Sequence, residues 1–322
     1  MDGVTGPHTW TGKDLTVLVP TYKRPAKLGE LLDSILAQTD SVRRVVVVDG
    51  GGDARDVCEA YAGRLRVDYF VCEPPGQIRQ RNHGLAQLDG NDRLVALLDD
   101  DIVMEPYAVN EMIALWNRAP VETVGVAFNI INGDPEKYTV LKGLLGICAK
   151  EPGRVLRNGM TSAISHARED TQVQWLPGGA TVWRSDVLLS RPHREVSARW
   201  AIAEDLVFSY PLGQQFPMFV CASAEVHHLH ISDYGRARAD RYHGKVQTLW
   251  TYHFVATNPR LSRLFFFYTL GARLLGKVLR GVFRLSRADL EFAVGQAIAV
   301  SQIADGALTG KASFELLAED DS

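Results

Sequence analysis

The chain has 322 residues, 46% of them hydrophobic and 23% charged, with a formal net charge of −3. That is enough apolar sequence to bury a large core, in one large domain or in one domain with an appendage. The near-neutral charge excludes a nucleic-acid partner drawn in by a global basic field.

In chain order, Leu15 to Pro20 is a β-branched run that predicts a first strand, followed by the loop Thr21 to Pro25. Ala26 to Gln38 carries Leu28, Leu31, Leu32, Ile35 and Leu36 at a helical period. Val45 to Asp49 predicts a second buried strand, with Gly50 to Gly52 behind it. A helix over 54–65 and a strand over 67–71 come next. The loop Glu73 to Gly76 opens a helix over 77–88. Leu94 to Leu98, five apolar residues, then runs directly into Asp99, Asp100 and Asp101. This alternation predicts an α/β fold with a mostly parallel, Rossmann-like sheet flanked by helices. Further on, the pattern predicts a helix over 107–118, a strand over 124–131, a tight turn at Trp175 to Ala180 and a strand over 181–184. A helix from Glu204 to Leu212 and a strand over 217–226 lead to His227, His228 and His230. Residues 132 to about 172 carry no clear pattern, and from Tyr242 onward the sequence is helical. The four cysteines are far apart and form no Cys-x-x-Cys pair, as expected of reduced, buried thiols in a cytosolic protein. Met1 to Lys13 has no apolar h-region and is not expected to be a signal peptide. No run of about 18 apolar residues predicts a membrane span.

The chemistry centres on the acidic triplet. Parallel sheets bind ligands beyond the carboxyl ends of their strands, where three adjacent carboxylates repel one another unless a cation sits among them. Asp99 and Asp101 are hard oxygen ligands suited to Mg²⁺ or Mn²⁺. One of His227, His228 and His230 could add a nitrogen ligand; alternatively these are polar loop histidines. Asp49 could accept hydrogen bonds from a base or ribose, or it could close an Asx-turn ahead of Gly50. Arg79, Arg81 and Asn82 open a helix, where they could meet phosphate or simply be solvated. Glu204 and Asp205 either complement a helix dipole or supply a general base. Arg273, Lys277, Arg280 and Arg284 recur on one helical face. The segment 264–285 therefore reads either as a helix on an anionic membrane with these cations towards the head groups, or as a packed helix with a solvated basic face.

Taken together, the motifs resemble the family-2 glycosyltransferases of GT-A fold. They run as Val-Pro-Thr-Tyr-Lys-Arg (19–24), Val-Val-Val-Asp-Gly (46–50), Gly76 with Arg81-Asn82-His83-Gly84-Leu85, Leu-Asp-Asp-Asp (98–101), Pro-Gly-Gly (177–179), Glu-Asp (204–205) and the histidine cluster. The resemblance covers residues 15 to about 232. It implies a GT-A domain over 15–235, with a nucleotide-binding half (15–118) and an acceptor-binding half (119–235). A tail over 1–14 and a helical region over 236–322 flank it. It implies that Pro20, Tyr22 and Arg24 form the nucleoside loop, that Asp49 is the base-binding acid, and that Arg81 and Asn82 line the donor site. Asp99 and Asp101 would hold the metal and diphosphate, with Asp100 towards the donor ribose or sugar. Gly178 and Gly179 would line the donor sugar and acceptor, and Asp205 would be the general base. His228, 23 residues after Asp205 and four before Ser232, matches the family's metal histidine better than its neighbours do.

The implied activity is inverting transfer of a sugar from a nucleotide-diphosphate donor to a saccharide, lipid-linked or small-molecule acceptor, in the cytoplasm or peripherally at the inner face of the membrane. The sequence departs from the family pattern at Phe208-Ser209-Tyr210-Pro211, where a basic residue is usual. It also lacks the Gln-x-x-Arg-Trp motif of processive synthases, which favours single addition. The alternatives are a non-catalytic nucleotide-sugar-binding protein and a metal-dependent nucleotidyltransferase. The first loop lacks the glycines that the latter would normally carry.

Overall fold

The structure is a computed structural model that describes residues 9–132, 137–195, 202–229 and 237–318. In chain order the elements are β1 (Leu15–Thr21), α1 (Pro25–Leu36), β2 (Arg44–Asp49), α2 (Arg55–Glu59), β3 (Val67–Val71), α3 (Gln77–Leu85), β4 (Leu94–Leu98), β5 (Ile102–Met104) and α4 (Ala108–Arg118). They continue with β6 (Gly125–Ile130), α5 (Val140–Leu144), β7 (Thr171–Gln172), β8 (Ala180–Arg184), α6 (Ser185–Ser190), α7 (Glu204–Gly213) and β9 (Met218–His228). Four helices follow: α8 (Ala237–Thr257), α9 (Arg263–Phe283), α10 (Arg287–Thr309) and α11 (Glu315–Ala318). The chain divides into two compact units. One comprises Met1–Asp134, Ile164–Arg194 and Leu212–Leu229; the other comprises Pro135–Ala163, Glu195–Pro211 and His230–Ser322.

The first unit is built on one mixed sheet in the order β3-β2-β1-β4-β8-β6-β9-β5, with β7 paired to β9. Strands β3, β2, β1 and β4 are mutually parallel, while β8 runs antiparallel to both β4 and β6. The parallel strands β1, β2 and β4 are buried at every residue, which is why they appear in the sequence as unbroken apolar runs rather than alternations. Leu28, Leu31, Leu32 and Ile35 of α1 and Val109, Met112 and Trp116 of α4 pack into the same core.

Two helices are shorter than the sequence suggests. After Glu59 the chain passes into three-residue turns (Tyr61 N to Cys58 O, 3.2 Å) and then takes a left-handed conformation at Gly63. After Leu85 it again closes three-residue turns, with Gln87 N to Gly84 O at 3.0 Å. The strand expected to end at Val226 instead continues through His228, because β5 pairs with it, Ile102 facing His228 and Val103 facing His227.

The second unit is helical. Val246, Leu249 and Trp250 of α8 pack with Ala299 and Ile303 of α10 and with Leu316 and Leu317 of α11. Glycine sets how closely α8 and α10 approach: a Cβ on Gly295 would fall 2.0 Å from the Arg241 carbonyl oxygen. Any side chain there would force the two helices apart. Leu206 and Val207 of α7 join this core. No helix among the described residues is long and apolar enough to cross a membrane.

Candidate active site

The carboxyl ends of β1, β2 and β4 carry the polar residues of the first unit. Asp101 is turned towards β9, and Asp100 towards β1. Asp100 is buried and accepts a hydrogen bond from the Thr21 hydroxyl at 2.8 Å; Arg24 Nη1 lies 3.4 Å from it and 3.3 Å from Asp101. Burial pushes the Asp100 carboxyl up to about 6, and the adjacent Asp101 and Asp99 charges add to the rise against the opposing pull of Thr21 and Arg24. Asp99 is the more open of the triplet. It accepts from Arg81 Nη2 at 3.0 Å and from Gln77 Nε2 at 3.1 Å.

His228 reaches this cluster because β9 runs antiparallel to β5, the short strand immediately after the triplet. Its Nε2 lies 3.1 Å from Asp101 Oδ1, and that contact, opposed by burial, raises its pKa above the ordinary histidine value. Asp99, Asp101 and His228 each offer a ligand atom, and the three atoms lie within 4.8 Å of one another. Two carboxylate oxygens and one imidazole nitrogen at that spacing suit Mn²⁺ or Mg²⁺, with coordination positions left for water or phosphate. His227 points to the other face of the strand, where its Nε2 meets Glu105 Oε1 at 2.8 Å. Of the three histidines only His228 is brought to the acidic cluster among the described residues; His230 and Ser232 lie outside them.

The other sequence-predicted residues lie in several elements. Pro20 is buried in β1 opposite Val48, and Tyr22 stands exposed in the loop behind it. Asp49 is fully buried, accepting from the Gly51 and Ala54 amides at 2.7 and 2.8 Å and from the Tyr69 hydroxyl at 2.8 Å. Burial works to raise its pKa, and these donors outweigh burial and hold it below the ordinary carboxylate value. The Asx-turn alternative is therefore realised, with the carboxylate occupied by donors of the protein itself. Arg81 is buried against Asp99. Asn82 instead exchanges two hydrogen bonds with the backbone of His193 (2.8 and 3.1 Å), tying the chain after α6 to α3. Gly178 lies in the bend before β8. Gly179 donates its place to Asp99: its carbonyl accepts the Asp99 amide at 2.9 Å, and a Cβ on it would fall 2.0 Å from Asp99 Oδ2. Asp205 belongs to the second unit, in the first turn of α7, where its Oδ1 accepts the Leu206 amide at 2.8 Å.

Two site residues were not singled out from the sequence. Gln77 binds Asp99, and Gln80 donates to both the Thr21 and Val48 carbonyls at 2.7 Å, bridging the ends of β1 and β2. With Arg81 and Gly84 they form a stripe at positions 77, 80, 81 and 84, one face of a helix. That polar stripe is a signal the sequence carries.

A mixed sheet whose parallel half ends in a carboxylate cluster, followed along the chain by helices, is the GT-A arrangement. Residues 16–170, just under half of the chain, match the family model described as Glycosyl transferase family 2. Over 116 residues, 34% of the chain, it is 34% identical to the validoxylamine A glucosyltransferase of Streptomyces hygroscopicus subsp. jinggangensis (strain 5008), of which that stretch covers 27%. Over 97 residues, 29% of the chain, it is 36% identical to the glycosyltransferase GlyA of Streptococcus pneumoniae serotype 4, covering 14% of it. The matched stretch thus spans about a quarter or less of the length of these relatives. Among solved structures, S. aureus TarS 1-349 superposes with a TM-score of 0.55 at 16% identity, covering 95% of this chain and 90% of that one. The mannosyltransferase PcManGT from Pyrobaculum calidifontis, in complex with GDP-Man and Mn²⁺, gives 0.53 at 16%, covering 94% and 84%. These two likenesses show the shared fold.

Proposed function

We propose that the protein transfers a sugar, with inversion, from a nucleotide-diphosphate donor to an acceptor hydroxyl. The observation that carries the reading is the convergence of Asp99, Asp101 and His228 at the carboxyl end of β4. The family match over 16–170 and the relatives named as glycosyltransferases support it. In this reading Asp99, Asp101 and His228 hold Mg²⁺ or Mn²⁺. The ion, when bound, neutralises and orients the departing diphosphate. Arg81, buried beside Asp99, fixes that carboxylate and adds positive charge for the phosphates. The loop of Pro20, Tyr22 and Arg24 and the rim at Asp49 frame the nucleoside. Gly178 and Gly179, the latter packed against Asp99, line the donor sugar and acceptor. Asp205 takes the acceptor proton as the new glycosidic bond forms, help worth about 10²–10⁴-fold because an alcohol is a poor nucleophile near pH 7. The acceptor belongs to the saccharide, lipid-linked or small-molecule hydroxyl class.

The test has two arms on the full chain. A thermal-shift screen of nucleoside diphosphates with Mn²⁺ or Mg²⁺ should give a metal-dependent stabilisation that Asp101→Asn removes. Asp205→Asn should keep that stabilisation while turnover, followed as released nucleoside diphosphate, falls at least about 10²-fold. Release of pyrophosphate instead would make the protein a nucleotidyltransferase. Weak donor binding with normal chemistry in Asp205→Asn would remove Asp205 from the role of base.

A further inference from the structure

We propose that α9, with α5 beside it, docks the second unit onto the surface of an anionic lipid bilayer through its apolar face. The helix is inside out. Arg273 turns inward to donate to Gln247 Oε1 at 2.9 Å and to Met160 Sδ at 3.2 Å, and Lys277 pairs with Asp289 at 2.7 Å. On the opposite side Leu264, Tyr268, Leu275, Leu279, Val282 and Phe283, spaced at helical intervals, are between 46% and 81% exposed. At 1.5 Å per residue the stripe is about 30 Å long. The expectation that Arg273 and Lys277 face lipid head groups is thus reversed, since their partners lie within the unit. The Tyr268 hydroxyl donates to the Leu144 carbonyl at 3.4 Å, which places α5 against the start of the stripe. There Val140, Leu141 and Leu144 are 65–72% exposed. A contiguous apolar surface of this extent on a folded unit marks an interaction site rather than ordinary surface variation.

Charge selects the partner. From residue 241 to 288 the sequence has no Asp or Glu and nine Lys or Arg. Exposed arginines stand at the start of the stripe, Arg157, stacked over Phe265 at 5.3 Å, and Arg263, while Arg280, 3.7 Å from Asp289, and Arg284 lie on the opposite face with Arg273. Apolar side chains flanked by exposed cations match the boundary between acyl chains and anionic head groups. A second copy of the chain would bring a surface with the same exposed arginines, Arg157 and Arg263, against this one, a like-charge arrangement. Because no described helix can span a bilayer, α9 lies on it. The proposal is independent of the assigned chemistry, since it concerns a face on which none of the proposed site residues lies.

Flotation of the full chain tests it, using vesicles of equal parts phosphatidylcholine and phosphatidylglycerol against phosphatidylcholine alone. The wild type should float with the anionic vesicles and less with the neutral ones. The exposed-face variant Leu275→Asp/Val282→Asp should lose at least about tenfold in partitioning with its melting midpoint unchanged. Leu141→Asp/Leu144→Asp, on the separate helix α5, should act in the same direction and serves if the α9 variant misfolds. No flotation of the wild type overturns the proposal, as does equal flotation of the folded variants. A wild-type dimer in solution that Leu275→Asp/Val282→Asp converts to monomer also overturns it, by showing that a second copy covers the face.

Discussion

Arg44 in β2 and Arg273 in α9 are both drawn off the surface, but into opposite company. Arg44 binds Asp92 through Nε at 3.1 Å and again through Nη2, binds Asp68 through Nη1 at 2.6 Å, and donates to the Gln87 carbonyl. Asp92 is itself fully buried and also accepts from Thr16. Those carboxylates raise the Arg44 pKa, Asp92 most of all, whereas burial lowers that of Arg273, whose partners are an amide and a thioether. The sheet unit matches buried charge with opposite charge and keeps its apolar residues inside. The helical unit turns Arg273 inward to neutral partners and leaves apolar residues of α9 in solvent. Buried charge in the first unit therefore holds the fold together, while in the second it is the by-product of a helix face committed elsewhere.

The sharpest break of this contrast is Asp92→Ala, which leaves Arg44 in the interior with Asp68 as its remaining carboxylate. The expected cost is about 3–5 kcal/mol, read from urea unfolding of the full chain. The second test is pH. Burial raises the Asp92 pKa, but the Arg44 and Thr16 hydrogen bonds outweigh it and hold the group at about 2. A group depressed in the folded state contributes its stability above the unfolded value near 4 and loses it as pH falls from about 4 to about 2, here roughly 2 kcal/mol. Asp92→Asn should flatten that acid limb in the same unfolding series. The smallest effect is expected for Arg273→Met. It removes a desolvated cation without breaking an ion pair, so stability should move by no more than about 1 kcal/mol, the scale of the lost hydrogen bond to Gln247. A loss as large as that of Asp92→Ala would show that Arg273 is a structural charge after all and dissolve the contrast.

Much of the sheet unit was legible because β1, β2 and β4 are buried on both faces, while the edge strand β3 shows instead as a short β-branched and aromatic run. The runs at 15–20, 45–49, 67–71 and 94–98 needed no alternation to be seen, and each ends in turn or polar residues. The acidic triplet was legible for the same reason. The three residues of β5 were hidden behind it, too few to make a pattern, and so the route by which His228 arrives was not readable; its choice over His227 rested on motif spacing. Asn82 shows a different limit. Its position at a helix start is visible in sequence, but its partner, the His193 backbone, lies 111 residues away. In α9 the helical period correctly grouped Arg273, Lys277, Arg280 and Arg284 on one side. Periodicity states which residues share a face, not which face is inside, and here the usual assumption is inverted.

The pairing of β5 with β9 also imposes an order in time. The residues that hold the carboxylates, Thr21, Arg24, Gln77 and Arg81, all precede the triplet in the chain, whereas His228 comes 127 residues after Asp101 (228 − 101). At roughly 5–20 residues per second, synthesis leaves the acidic cluster for about 6–25 s with its cations made and its histidine not yet made. The restraint on the carboxylates is therefore local and early, and the selectivity that an imidazole adds arrives late. On the metal role proposed for these residues, a nascent chain halted before β9 should present an oxygen-only site, without the nitrogen ligand that would favour Mn²⁺ over Mg²⁺.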